Sequence, residues 1–340
     1  MFANTNQEYP VLLLKSTGTK NLTQLAAIAG KSDNSIRRSL LSLDAIFPML
    51  AHLSKKMFQH KKELFLIIDD SLIKKIYARF LQGAGKHFDQ KIGRKVMGFK
   101  IQLACISDGK NIIPLSFTYL FATENPHEFA PSKFEIFKAT VRYAQDQFPD
   151  MKIKVLADGL FSTTGILRWC SENNVETEMR MHSNRSVEYK NQTVTLKKLA
   201  TLQPKGRYKA RTISIKWHDL SLYATADLRQ DKHGEKSVVY LVSTFKAQPA
   251  KHVATYKIRW LIEKIFRTIK QHLGLQHCAS RSLLVQDQHV ASVFLAFSFA
   301  QVAQKKYRFK TFEDAIRWFK SLTINEAKEW VSALDQIIQV

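Results

Sequence analysis

The order of elements along this 340-residue chain predicts an α/β fold: a mixed sheet with flanking helices, a β-rich insertion and a small N-terminal helical unit. Three observations carry that expectation. Two short apolar runs, ELFLIIDDSL and KIKVLADGLFS, each end in carboxylates and read as buried strands. Segments of helical period separate and follow them. From about residue 184 to 243 the pattern changes to short alternating runs bounded by turn residues.

The elements follow in order. In LTQLAAIAGKSDNSIRRSLLSL, Ala26, Gly30 and Ile36 have the spacing of a helix-turn-helix: a small residue for close approach, a glycine for the turn and an aliphatic anchor. Ser32 or Asp33 is placed to cap the second helix, with Arg37 and Arg38 near its exposed face as DNA-contact candidates. Any helical hairpin with a glycine turn shares this pattern. ELFLIIDDSL then reads as the first strand. KVMGFKIQLACIS and NIIPLSFTYL read as two more in an antiparallel meander, turning at Ser107-Asp108-Gly109-Lys110. PSKFEIFKATVRYAQDQF has helical period, KIKVLADGLFS is a fourth strand ending at Asp158, and Ser162 or Thr163 opens the helix GILRWCSENN. TVTLKKL, RTISIKWHDLSLYATADL and SVVYLVST form the β-rich insertion, after which the chain returns to helix. The expected domains are residues 1–60 as an N-terminal DNA-binding unit, 61–183 with 244–340 as the core, and 184–243 as the insertion.

Fifty-two Lys and Arg against 29 Asp and Glu leave a net charge of +23. That surplus points to a polyanionic partner, and its spread over Lys55-Lys56, Lys61-Lys62, Lys74-Lys75, Lys91 to Lys95 and Lys205 to Arg211 favours nucleic acid over a membrane surface. Cys105, Cys170 and Cys278 lack metal-ligand spacing, and their odd number argues against a disulfide framework. The N-terminal residues lack a signal-peptide pattern, and no apolar run in the sequence approaches membrane-spanning length, so no membrane partner and a cytoplasmic location are expected.

YKIRWLIEKIFRTIK carries Tyr256, Arg259, Glu263 and Lys270 in the spacing Y-x2-R-x3-E-x6-K. On one helix these side chains fall at roughly 0°, 300°, 340° and 320°, a single stripe. An acid, two cations and a phenol suit a metal-bound phosphodiester: the carboxylate takes the ion and the others take phosphate oxygens. The plainer reading is a solvated face with an i,i+4 ion pair between Arg259 and Glu263. Phosphodiester cleavage needs an activated oxygen nucleophile and a neutralised leaving oxygen, which two Mg²⁺ held by three carboxylates supply. Asp69-Asp70, Asp158 and Glu263 are the available acids, far apart in the chain and brought together only by folding. Strand alternation puts Asp69 and Asp70 on opposite faces, so one of them serves. His127-Glu128 resembles half a metal site without a second ligand at helical spacing, and His252, His272 and His277 lie beside the stripe as possible DNA contacts. No phosphate-binding glycine loop or Ser-His-Asp order emerges.

With these residues in place, the chain resembles the DDE transposases of bacterial insertion sequences, in the insertion-sequence-4 family. The third motif of that family is the Y-x2-R-x3-E-x6-K string. The first motif resembles Ile68-Asp69-Asp70-Ser71, where a carboxylate before a hydroxyl residue favours Asp70, and the second resembles Leu156 to Ser162 around Asp158. The resemblance spans about residues 60 to 285. It implies an RNase H-like core in which Asp70, Asp158 and Glu263 are catalytic and hold two Mg²⁺, with Mn²⁺ able to substitute. Tyr256, Arg259 and Lys270 would hold phosphates. It also implies cut-and-paste transposition through a hairpin, acting as a homodimer on paired ends, with partners in double-stranded DNA bearing terminal inverted repeats and in target DNA. The location would be bacterial and nucleoid-associated. The family stacks an extrahelical base on an insertion aromatic, for which Tyr240 and Trp217 are candidates. Two rival functions are a domesticated, catalytically silent DNA-binding protein and another RNase H-like nuclease.

Overall fold

The computed structural model describes residues 2, 5–78, 80–121, 131–199, 211–230 and 234–337. The segment holding His127-Glu128 and most of the Lys205 to Arg211 cluster lie outside these. At the centre runs β1 (Glu63–Lys74), whose Leu64, Leu66, Ile67 and Ile68 are fully buried because both faces are covered. It pairs antiparallel with β3 (Arg94–Ser107) and parallel with β5 (Lys152–Ala157). β4 (Ile112–Leu120) returns antiparallel along β3, while β2 (Gly85–Asp89) pairs with the start of β3. The β3–β4 turn is locally determined: Asp108 accepts from the Lys110 and Asn111 amides, and Gly109 takes a φ of 92° that few side chains tolerate. β6 (Thr177–Met181) extends the sheet parallel to β5.

The β-rich segment does not form a separate sheet. β7 (Ser186–Tyr189), β8 (Gln192–Thr195), β9 (Thr212–Trp217), β10 (Leu220–Gln230) and β11 (Lys236–Ser243) continue the central one, because β11 pairs antiparallel with β6. Among the described residues the sheet has eleven strands, in the order β2-β3-β1-β5-β6-β11-β10-β9-β7-β8 with β4 on β3.

The N-terminal residues contain α1 (Glu8–Lys15), α2 (Leu22–Ala29), α3 (Asp33–Arg38) and α4 (Leu43–Phe58). Gly30 ends α2 at φ 62°, Ser32 caps α3 by accepting from the Ser35 amide, and Ile36 is buried while Arg37 and Arg38 are exposed. Val11 to Leu14 of α1 are fully buried, each worth roughly 1.5–3 kcal/mol. They join the same hydrophobic core as the sheet, packing with α4 on the long α9 (Leu283–Lys306).

Four further helices flank the sheet. α5 (Lys133–Gln147) opens with a capping box between Ser132 and Glu135, and α6 (Thr164–Glu172) is capped by Thr163. On the opposite face, α7 (Pro249–Ile258) and α8 (Trp260–Gln271) meet at Arg259, so the single helix expected over the stripe is two. α9 is long and apolar enough to cross a membrane by length and composition, which the sequence reading did not anticipate. Yet 78% of its apolar window is buried inside the fold, so it serves here as a core helix. α10 (Phe312–Ser321), α11 (Ile324–Ser332) and α12 (Leu334–Ile337) close the chain, and the three cysteines are free and buried.

Candidate active site

The register of two strands decides which acids meet. Ile68 of β1 lies opposite Ala157 of β5 in the parallel pair, so Asp69 and Asp158 each follow the last paired residues, and the Asp158 charge acts on Asp69. Asp158 follows the last strand residue and closes a turn by accepting from the Leu160 amide at 2.8 Å. Asp69 faces the α7–α8 junction. Its Oδ2 accepts from Arg259 Nη1 at 2.9 Å, and Arg259 Nη2 donates to Glu263 Oε1 at 2.5 Å. One guanidinium thus bridges two of the acids, and the i,i+4 pair between Arg259 and Glu263 forms as the plainer reading expected.

Asp70 points to the other face. Its Oδ2 is 3.1 Å from Lys100 Nζ and 3.2 Å from Lys133 Nζ of α5, and its strand partner is Gln102, which reaches Thr140 on the same helix. It is thus Asp69, and not the expected Asp70, that shares a face of β1 with Arg259 and Glu263, because β1 alternates and its odd-numbered side faces α8. The strand also runs on through both acids to Lys74, so these carboxylates sit within β1 rather than at its end.

Burial pushes the Asp69 carboxyl up to about 7, with Asp158 and Asp70 adding to the shift against the pull of Arg259. Lys270 at the far end of α8 donates to Ser71 Oγ at 2.7 Å, two residues beyond Asp69 on the same face of β1. Its pKa falls to about 8 through burial, helped by Lys91 and Lys74. Tyr256 is only 2% exposed and packs with Val239, Leu241 and Val253, and burial lifts its phenol to about 12. It lies under the Arg259 guanidinium, 5.6 Å from ring centroid to Cζ. In this state its contact is with Arg259 rather than with the open site.

The other candidates divide plainly. Trp217 and Tyr240 are each 4% exposed, so neither offers a ring face to a base here. The histidines near the stripe all have internal partners: His252 with Glu178, His272 with Glu313, and His277 with the Lys20 amide. Sequence reasoning missed β6, although Val175, Thr177, Met179 and Met181 alternate through it. It also missed the concentration of exposed apolar side chains at Ile76, Tyr77, Phe80, Phe88 and Ile92, around the end of β1 and the β2–β3 turn.

The donor set is all oxygen, which suits a hard divalent ion. Among the described residues no three His, Cys, Asp or Glu side chains converge tightly enough to hold an ion as they stand. Between Asp69 and Glu263 the positive charge comes instead from Arg259, whose Nε is buried without a hydrogen-bond partner. The acids thus call for a cation and share an incompletely satisfied one, and that chemistry fits a metal exchanging places with part of the guanidinium's role.

A family model described as the transposase DDE domain matches residues 60–299, which contain Asp69, Asp158 and Glu263. The chain belongs to the DDE transposase family. This transposase is a DNA-cleaving enzyme, and its family generally uses divalent metal ions. Among solved structures it resembles the piggyBac transposase, in a cryo-EM structure of the synaptic complex with hairpin DNA. That match has 11% identity and a TM-score of 0.50 and covers 95% of this chain and 71% of the other, a likeness of fold. No curated protein sequence matches significantly.

Proposed function

We propose that this transposase cuts DNA at the ends of an insertion sequence of the insertion-sequence-4 type and joins the freed end to target DNA. Asp69, Asp158 and Glu263 would hold two Mg²⁺ ions. The observation that carries this reading is the β1–β5 register, which brings the Asp158 charge to act on Asp69 on the face where Arg259 and Glu263 arrive. The antiparallel β1, β3 and β4 followed by the parallel β5 and β6 support an RNase H-like core, and the ungapped Y-x2-R-x3-E-x6-K string supports the subfamily.

Bound ions would lower the pKa of the attacking water or 3′-OH and neutralise the leaving 3′ oxygen. The chain's own residues do the positioning. Arg259, released from the two carboxylates, turns to a phosphate oxygen while Tyr256 supports its guanidinium from below. Lys270 binds a neighbouring phosphate from beside Ser71. Each cleavage exchanges one P–O bond for another, leaving a 3′-OH that attacks the next phosphodiester. A hairpin intermediate fits this sequence of attacks, as does a homodimer holding paired ends. The α2–α3 hairpin, with Arg37 and Arg38 exposed, is the proposed reader of the terminal inverted repeats, in a cytoplasmic, nucleoid-associated protein.

The deciding experiment is cleavage of a labelled duplex carrying the flanking inverted repeat, in Mg²⁺, Mn²⁺ or EDTA, by wild type and Glu263→Gln. Nicking at the repeat boundary that needs metal and Glu263 is the expected result. Specific binding without cleavage in either metal would replace this reading with a catalytically silent DNA-binding protein.

A further inference from the structure

On the flank of α8 turned away from the acids, an open cleft of about 560 Å³ lies between α8, the C-terminal half of α9, the α9–α10 turn and the β3–β4 turn. Its inner wall is apolar and includes Ile265, Phe309 and Phe312, the last stacked on Phe297 with centroids 4.6 Å apart and planes 16° from parallel. Around this wall stand Lys110, Lys264, Arg267, Lys305, Arg308 and Lys310, against a single acid, Glu313, that already faces His272 at 3.7 Å. Lys305 donates to the Met57 carbonyl. Among the described residues none of the other five cations has a carboxylate at ion-pair distance.

Such a ring of like charge is unfavourable by a few tenths of a kcal/mol per pair in water, at separations of about 10 Å. A solvated basic surface would spread these charges over convex ground. Here they converge on a concave site with half-buried phenyl rings, a combination that suits an anion carrying a flat ring. The N-terminus of α10 is not the attraction, since Thr311 and Asp314 already cap it.

We propose that this cleft binds a nucleotide unit, its base against Phe309 and Phe312 and its phosphates among Lys264, Arg308 and Lys310. The nucleotide class rests on the cleft alone. Its source as a DNA strand rests on the transposase reading: Arg267 stands one helical turn beyond Glu263 on α8 and links the acid face to the cleft, so a strand leaving the acids meets the cleft next.

The test is anisotropy of a fluorescein-labelled ten-nucleotide single strand with the full-length chain, competed by dAMP, ATP or inorganic phosphate. The Lys264→Ala/Arg308→Ala/Lys310→Ala variant should bind more than 10-fold more weakly, with its log–log salt slope reduced by about 2. Phe312→Leu should weaken the oligonucleotide several-fold and leave competition by inorganic phosphate unchanged. Competition by dAMP or ATP at micromolar concentration would assign the cleft to a free nucleotide, and competition only by strands to DNA; either supports the nucleotide class. Unchanged affinity in a triple variant that melts like wild type overturns the proposal. A loss in the triple variant with no effect of Phe312→Leu overturns the nucleotide class in favour of charge alone. The assay is run in EDTA, where no cleavage is expected, so it reads strand binding alone. Absent cleavage in Mg²⁺ or Mn²⁺ with intact cleft binding would therefore count against the proposed reaction and not against the cleft.

Discussion

The two faces of β1 place adjacent aspartates in opposite circumstances. On the even face Asp70 has two lysines to itself, one from β3 and one from α5. On the odd face Asp69 accepts from the Asp70 amide and shares one guanidinium with Glu263, and burial with the nearby Asp158 and Asp70 charges raises its pKa to about 7. A satisfied carboxylate holds a structure together. One held among other acids by a shared cation stays costly to ionise, and a further cation would return that cost.

The largest expected effect exploits that contrast. Asp69→Asn should reduce metal-dependent cleavage about 10³-fold or more, since a carboxylate holding an ion is worth several kcal/mol of transition-state stabilisation. Asp70→Asn should leave cleavage within a few-fold and lower stability by about 1–2 kcal/mol, from the loss of a mostly buried, doubly paired charge. Parallel single-turnover assays and thermal melts separate the two. A swap of phenotypes would return the assignment to Asp70.

Stability against pH sharpens the same comparison at smaller magnitude. The Asp69 pKa in the folded chain lies above the unfolded value of 3.8, so between about pH 4 and 7 the folded state binds the extra proton. Its contribution is therefore fully present below pH 4 and is lost as pH rises through about 7. In EDTA, Asp69→Asn should melt higher than wild type at pH 8 by on the order of 2 kcal/mol, with little difference at pH 4.5. Adding Mg²⁺ or Mn²⁺ at pH 8 should stabilise wild type and not the variant. A metal-free Asp69→Asn protein that melts lower at pH 8 would mean that Arg259 satisfies Asp69 after all.

How far the sequence reveals this arrangement depends on which interactions are local. Caps and turns are legible because their partners are a few residues away: Gly30 and Ser32 at the α2–α3 turn, Asp108 to Asn111 at the β3–β4 turn, and Thr163 before α6 as one of two candidates. The strand cores of β1 and β5 are legible from their apolar runs. Which of Asp69 and Asp70 shares a face with Arg259 and Glu263 is not, since alternation says only that they differ, and that depends on packing against β5 and α8, elements some ninety residues or more later. The same non-locality hides the joining of the β-rich segment to the sheet, which depends on β11 finding β6. The Tyr256 to Lys270 stripe is legible as chemistry. Its split at Arg259, and the burial of Tyr256 against Val239 and Leu241, require the packed sheet beneath it.

The smallest expected effect lies at the far end of the odd face. Lys270 loses its proton at about 8, a value lowered by burial and by Lys91 and Lys74, so in the DNA-free protein a rise from pH 7 to 9 removes a charge that a bound phosphate needs. Affinity for the repeat should fall several-fold over that range, and Lys270→Arg should flatten the fall because guanidinium stays charged. Lys270→Ala should bind more weakly at pH 7 and show the same shallow pH dependence, with its salt slope reduced by about 1. Asp70→Asn should retain the wild-type profile, since Asp70 answers to Lys100 and Lys133 on the opposite face. A pH dependence that persists in Lys270→Arg would place the titrating cation elsewhere and detach Lys270 from the phosphate.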